Sequence, residues 1–340
     1  MRELGEMTVA ELTHSLGGSR TRALETVQWL WKQTAAPAAL PDTLDGVSHR
    51  VWRPFREGAR FSLPTVAERQ QSEDGTTRYV LAFGDTRVET VRIPAAARST
   101  ICISSQAGCT RHCTFCATQT LGFARQLTAA EMVAQFYTAR LEAPVHQPAR
   151  NVVFMGMGEP MDNLDAVLRA IEVLTQSPAP QLGAEQITVS TSGVVPGMRR
   201  FLKESKASLA LSLNATTDAV RDQLMPQNKS WPIAALLEVL RDEAKVHPRR
   251  EHFIEYVLFE GVNDTPDDAD RLVRLMDGIP SRINLIPHNP FKGSPYRPPA
   301  DAAMIAFQKR VAAQGKLCLV RWPRGREIAA ACGQLALQTG

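Results

Sequence analysis

No apolar run in the 340-residue chain approaches the ~18 residues that a membrane-spanning helix needs. Nor do the first residues offer the apolar core of a secretory signal, because Glu3, Glu6 and Glu11 fall there. Internal repeats and low-complexity tracts are absent. With hydrophobic residues at 44% and charged residues at 22%, the composition excludes disorder as the main state. A strong net charge is missing as well: 39 Lys and Arg against 35 Asp and Glu leave +4, which does not by itself mark a nucleic-acid binder. These absences predict a soluble, cytoplasmic protein with no membrane partner. In that reducing compartment, six cysteines are expected to be metal ligands or reactive thiols rather than structural disulfides.

The length allows one large α/β barrel with an appendage, or two ordinary domains. Residues 8–17 and 20–33 have helical periodicity, the second placing Leu24, Val27, Leu30 and Trp31 on one face. Residues 77–83 and 87–93 flank Gly84-Asp85-Thr86, and Tyr79, Leu81 and Phe83 alternate with their neighbours, which predicts a β-hairpin. Residues 1–95 therefore read as a small helical module plus hairpin. Beyond it, strand-like runs at 100–104, 151–155, 186–190, 208–213, 252–259 and 282–286 alternate with helical patterns. These helices are predicted near 128–142, 163–176, 196–205, 217–224, 232–246 and 266–277, and Thr128 and Thr265 are good N-caps with acids following.

Such alternation demands parallel strands with helical crossovers, in a barrel or an open doubly wound sheet. Six strands are too few to close an eight-stranded barrel. The expected fold class is thus α/β, a partial (β/α)6 barrel over residues 96–315, with 316–340 as a C-terminal segment. Reactive groups in either arrangement gather at the C-terminal ends of the strands. The polar motifs fall there: cysteines after the first strand, Gly156-Met-Gly-Glu-Pro160 after the second, then Ser190-Thr-Ser-Gly193, Ser212-Leu-Asn214 and Pro287-His-Asn-Pro290. Motifs at equivalent strand ends argue for one shared site.

The most informative of them is Cys109-Thr-Arg-His-Cys113-Thr-Phe-Cys116. Three thiolates on one short loop can converge on a soft metal centre. Structural zinc takes paired ligands from two segments, and no second pair exists, although His112 offers a fourth ligand. An electron-carrying cubane takes four cysteines; three leave one iron open for a substrate. This spacing, with Phe115 inside it, matches the signature of enzymes that bind S-adenosylmethionine at the open iron. Gly158 lets backbone approach such a ligand, and Glu159 can accept from its ammonium group. Ser190, Ser212, Asn214 and Asn289 can hydrogen-bond ribose or carboxylate groups, and each is equally a strand-end cap. Cys318 alternates within a strand-like run and reads as packing. Cys332 follows a basic stretch, which favours a nucleophile, but lies among alanines, which favours a core position.

Taken together, Cys102-Ile-Ser-Ser-Gln-Ala-Gly-Cys109, the cysteine triad, Phe154 to Pro160, Val189 to Gly193, Ser212 to Asp218 and Ala330-Ala-Cys-Gly-Gln-Leu335 resemble the RlmN/Cfr family of radical-SAM RNA methyltransferases. The likeness runs from the hairpin to the C-terminus in order. It implies a 4Fe-4S cluster held by Cys109, Cys113 and Cys116. It also implies S-adenosylmethionine, two molecules per turnover, contacted by Gly158, Glu159, Ser190, Ser212, Leu213, Asn214 and Asn289. The resemblance makes Cys332 the methyl-carrying cysteine, Cys102 its resolving partner through a transient disulfide, and Glu89 the proton acceptor. Its implied substrate is adenine of 23S rRNA, methylated at C2 in the RlmN branch, with tRNA a substrate of some members. An electron donor such as flavodoxin or ferredoxin is implied as partner. The chain departs from the family pattern at Asp162, Asn214 and Glu327.

Rival readings are a Cfr-like methylation of adenine C8, a radical enzyme acting on protein or small molecules, and a non-catalytic zinc-binding RNA module. Arg50, Arg53, Arg56 and Arg60, and the six basic residues from Lys309 to Arg326, are either solvated faces or grips on a phosphate backbone. Anaerobically purified protein is expected to show the broad visible absorbance of an iron–sulfur cluster; a colourless preparation containing zinc would select the zinc reading.

Overall fold

The structure, a computed structural model, describes every residue except 38, 179, 181 and 338–340. Three antiparallel strands lead the sheet: β1 (Thr65–Gln71), β2 (Thr77–Phe83) and β3 (Thr86–Pro94). Seven strands, each parallel to the next, follow: β4 (Ser99–Cys102), β5 (Ala149–Phe154), β6 (Ile187–Thr191), β7 (Ser208–Ser212), β8 (His252–Leu258), β9 (Ser281–Pro287) and β10 (Cys318–Val320). Because β3 pairs antiparallel with β4, all ten lie in one sheet whose spatial order is the chain order. A doubly wound sheet would reverse that order at a switch point. The uninterrupted sequence decides for the partial barrel, with seven parallel strands where the sequence shows six.

Helices α1 (Val9–Ser15), α2 (Arg20–Lys32) and α3 (His49–Gly58) precede the sheet. Between parallel strands run α4 (Ala129–Leu141), α5 (Leu164–Thr175), α6 (Val195–Glu204), α7 (Asp218–Leu224), α8 (Ile233–Val246), α9 (Pro266–Leu275) and α10 (Asp301–Ala312). The N-cap signals act as read: Thr128 and Glu131, and Thr265 and Asp268, form reciprocal capping boxes that satisfy otherwise orphaned N–H groups. Three elements escape the sequence reading: α10, which is absent from the helical patterns above, α3 and β1. In α3, Pro54 sits inside the helix and weakens the periodic signal. Buried Trp52 and Phe55 hold it nonetheless, with the Trp52 indole donating to the Pro41 carbonyl at 2.8 Å. Strand β1 is almost wholly polar and exposed, so it has no alternation to read; its ladder with β2 makes it a strand.

The sheet crosses residue 95 without interruption, and the apolar core runs on from α1–α3 into the barrel. A contact that ties the N-terminal helices to the barrel is aromatic. Trp31 of α2 meets Tyr137 of α4 edge-on at 5.3 Å, the Tyr137 hydroxyl donates to Leu30 O at 2.8 Å, and Arg140 lies over the Trp31 ring at 5.4 Å. Replacing Trp31 by Ala is expected to cost about 3–5 kcal/mol. Amide exchange should accelerate first in α2 while β6–β8 stay protected; uniform acceleration across the chain would contradict this anchoring role.

Candidate active site

The cysteine loop is fixed at both ends. Gln106–Gly108 pairs antiparallel with Phe123–Gln126, and the Cys109 N–H donates to Gly122 O at 2.9 Å. Gly108 has φ +75°, and a Cβ there would stand 1.8 Å from Gly122 O, so only glycine closes this neck. The middle of the loop rests on a second small apolar cluster, Ala215, Leu224, Met225 and Phe259, with Phe115 against Phe259 at 5.2 Å. Thr114 adds a backbone bond to Leu224 O at 3.0 Å and a hydroxyl contact with Tyr296 at 2.9 Å. The departures noted at Asp162 and Glu327 have local uses. Asp162 accepts from the Thr110 hydroxyl at 2.5 Å and pairs with Arg111, while Glu327 accepts from the Ser72 hydroxyl.

Burial pushes all three loop thiols up, Cys109 to about 12, and each of Cys109 and Cys116 raises Cys113 further by its charge. Burial thus favours the neutral thiols, and a bound cation would be needed to hold all three as thiolates. Among the described residues, no set of three or more His, Cys, Asp and Glu is gathered to hold one metal ion. Thiolates that share a cluster attach to different irons and stand farther apart than the ligands of one ion. The half-buried triad, with N–H of Arg111 3.3 Å from the Cys109 sulfur and Thr118 donors near Cys116, is a donor set that fits the cluster.

Across the mouth, the Gly-rich turn after β5 packs tightly on the residues after β4. A Cβ at Gly158 (φ +106°) would stand 2.6 Å from Gln106 Cβ. Ser104 ties the turn to β3, its hydroxyl donating to Glu89 O at 2.6 Å and accepting from the Met157 N–H at 2.9 Å. Glu159 is buried, and its carboxylate accepts from Ser192 N–H and hydroxyl at 2.8 and 2.6 Å and from Met161 N–H at 3.1 Å. Much of the capacity the sequence assigns to a ligand ammonium is thus used within the protein. Ser190 and Ser212 place their hydroxyls 3.3 Å apart at neighbouring strand ends. Leu213 is buried, and Asn214 (φ +58°) turns inward: Val257 N–H donates to its Oδ1 at 2.9 Å, and its amide lies 3.4 Å from the Met225 sulfur. The Asn214 side chain therefore joins β7 to β8.

Sequence reasoning missed Arg221, which is fully buried. It donates to Ser192 O at 2.6 Å, Leu213 O at 2.9 Å and Ser212 O at 3.1 Å, gathering the ends of β6 and β7. Its burial lowers the guanidinium to about 10, and its charge reaches Cys113. On α7 it reads as one more surface arginine, so no local signal marks it.

The C-terminal segment completes the mouth. From β10, at one sheet edge, it crosses to the hairpin at the other: Gly325 N–H donates to Asp74 at 3.3 Å, and Leu337 N–H to Glu89 Oε2 at 3.2 Å. It is bonded to the cysteine loop by Ala117 N–H to Gly333 O at 2.7 Å and Thr118 hydroxyl to Leu335 O at 2.6 Å. Asn289 donates to the Cys332 carbonyl at 3.1 Å. Cys332 is solvent-accessible yet surrounded by protein, which raises its thiol; the Arg321 charge opposes the rise and Glu255 adds to it. Buried Cys102, at the end of β4, is pushed up by burial and then by charge on Cys332. Glu89 is fully buried, raised by that burial, and held by Arg78 at 2.5 Å and by Leu337 and Ala336 N–H groups. Cys318 lies in β10, buried and pushed up to about 12.

Residues 103–275 match the family model of the radical SAM superfamily. The chain is 42% identical to the dual-specificity RNA methyltransferase RlmN of Geobacter sulfurreducens, over 98% of this chain and 92% of that protein. It is equally similar, at 42%, to the RlmN of Anaeromyxobacter dehalogenans, over 100% of this chain and 92% of the relative. Among solved structures, a radical SAM methyltransferase from Sphaerobacter thermophilus superposes with TM-score 0.90 at 35% identity, covering 99% of this chain and 100% of that one. Among the described residues no helix is long and apolar enough to cross a membrane.

Brief alkylation of the native, metal-free chain is expected to label Cys332 before Cys102 or Cys318, because only Cys332 is exposed. For Cys318 the rate should climb about tenfold per pH unit up to pH near 12. Equal labelling of the three by peptide mass mapping would refute the placement of Cys332.

Proposed function

The chain belongs to the RlmN family of radical-SAM RNA methyltransferases, and from that premise we propose that it methylates C2 of an adenine in 23S rRNA, and in tRNA. The observation that carries the reading is that the segment with Cys332 is hydrogen-bonded both to the three-cysteine loop and to Glu89 at one end of the barrel. Cys109, Cys113 and Cys116 would hold the 4Fe-4S cluster. When bound and reduced by one electron, that group supplies reductive cleavage of S-adenosylmethionine to a carbon-centred radical able to abstract hydrogen.

The remaining steps are the chain's own. Adenine C2 is electron-poor and cannot displace a methyl group from a sulfonium, whereas a thiolate can. Cys332 loses its proton and forms the new S–CH3 bond as the sulfonium S–C bond breaks. Its exposure to the mouth leaves room for both the methyl donor and the base. Joining the carbon to the ring costs the S-methyl group one hydrogen atom, taken by the radical, and costs the ring one proton and one electron. Cys102 then attacks the Cys332 sulfur as a thiolate, its proton completing the methyl group on the released carbon, and a Cys102–Cys332 disulfide is left. Two electrons from outside must reduce the disulfide before the next turnover. Glu89, raised by burial and held by Arg78, is poised to receive the ring proton. Ser190, Ser212, Gly158 and Asn289 line the ligand's path; Glu159 and Asn214 act by fixing its walls. We read residues 1–95 as an accessory RNA-binding module, 96–315 as the catalytic barrel and 316–340, whose last three residues lie outside the described ones, as the carrier of Cys332. A flavodoxin or ferredoxin in the cytoplasm would supply the electrons.

Incubated anaerobically with reductant, methyl-labelled S-adenosylmethionine and RNA, the wild-type enzyme should yield 2-methyladenosine by nucleoside mass spectrometry. Cys332→Ala should take up no methyl group on protein or RNA. Cys102→Ala should accumulate RNA joined to Cys332 while releasing under about 1% of wild-type product, since no other thiol can resolve the intermediate. A product methylated at C8 would replace the C2 assignment, and turnover by Cys332→Ala would refute the mechanism.

A further inference from the structure

The fold treats the two basic stretches differently. Near α3, Arg53 pairs with Glu57, Arg56 with Asp42 and Arg60 with Glu3, so most of that charge is neutralised. In the C-terminal stretch, Arg310 is bidentate on Asp270, and Lys316 lies 3.3 Å from Asp277. Arg321 and Arg324 stand 3.8 Å from Glu255 and Asp74, beyond hydrogen-bonding distance, and Arg326 reaches only the neutral Asn289 amide at 3.3 Å. The surplus charge is therefore concentrated over residues 321–326.

Trp322 lies in the middle of that run and is 47% exposed. Among the described residues no aromatic ring or guanidinium lies against its indole. Its place is set by the Arg321 N–H donating to Leu285 O at 2.8 Å, which puts it at the C-terminal end of β9 and β10. Ten positions later the same segment presents Cys332 to the mouth. An exposed indole contributes little to packing but offers an open π-face.

Building on the RNA reading above, we infer that Trp322 is a stacking platform for a nucleotide next to the target adenine, with Arg324 and Arg326 gripping the phosphates beside it. A base that must reach Cys332 has to leave its stack, and its unstacked neighbour then needs a surface to lie on. An aromatic face between arginines whose acidic partners stand no closer than 3.8 Å meets both needs. An acidic electron-donor protein would use the charges but has no need of a bare ring on the segment that carries the reactive cysteine.

The test uses the anaerobic holoenzyme and a stem–loop RNA carrying 2-aminopurine next to the target adenine. Wild-type enzyme should quench the 2-aminopurine emission on binding. Trp322→Ala should remove the quench and weaken binding about tenfold at fixed salt, and Trp322→Phe should restore most of both. Arg324→Ala should keep the quench and flatten the salt dependence of binding. Methylation of Cys332 in the absence of RNA should be the same in wild type and Trp322→Ala, which shows the variant intact. Unchanged quench and affinity in Trp322→Ala overturn the platform while leaving the RNA reading standing. Loss of reductant-driven turnover at unchanged RNA affinity would assign the surface to the electron donor and overturn it too. A wild-type enzyme that binds no RNA overturns both.

Discussion

Two hydrogen bonds hold the halves of the site in register: Ala117 N–H to Gly333 O and the Thr118 hydroxyl to Leu335 O. The cysteine loop belongs to the start of the barrel, and the segment with Cys332 belongs to its end. A partial barrel leaves its two sheet edges apart, and here that segment spans them, from β10 to the hairpin and Glu89. The gap a closed barrel would lack becomes the place where the C-terminal segment is tied down by hydrogen bonds to main-chain groups. Bonds to main-chain groups constrain position whatever the side chains do, so the exposed Cys332 keeps a fixed address. Its accessibility and its confinement have the same origin.

Around that address, the protein buries charge and satisfies it internally. Glu159 is taken by Ser192 and Met161, Glu89 by Arg78 and the Leu337 N–H, and Arg221 by three carbonyls and Asn228. A buried charge left without partners would cost several kcal/mol, so each of these groups locks the strand ends or loops it touches. The walls are then preorganised before any ligand arrives, and the binding groups with spare capacity are the small ones, Ser190 and Ser212. A radical generated at such a site is best kept from water by fixed walls, which is the use these pairings serve.

Legibility followed locality. Capping boxes at Thr128 and Thr265, the apolar strand runs and the cysteine spacing all lie within a few residues and were readable. Helix α3 was hidden by Pro54, whose cost is overcome by burying Trp52 and Phe55. Strand β1 has no apolar alternation because one sheet edge faces solvent. Arg221 looked like a surface residue, since its acceptors are carbonyls of two other strands. Asn214 also satisfies the N–H of Val257, a role that appears only when β7 and β8 lie side by side.

The sequence by itself determined the chemistry on offer: three thiols on one loop, a glycine turn after the next strand, two further cysteines, and the αβ alternation that points motifs to one end. Those are properties of spacing, and spacing survives in one dimension. Tertiary structure alone decided which groups meet. Thr118 and Leu335 are 217 residues apart, and Glu89 and Leu337 are 248 apart. Contacts of that separation arise from the closing path of the sheet, so the meeting of the segment that carries Cys332 with the cysteine loop and with Glu89 has no local signature. The same holds for charge: sequence counts the arginines, and only the fold pairs some closely with acids and leaves those beside Trp322 with acidic partners no closer than 3.8 Å.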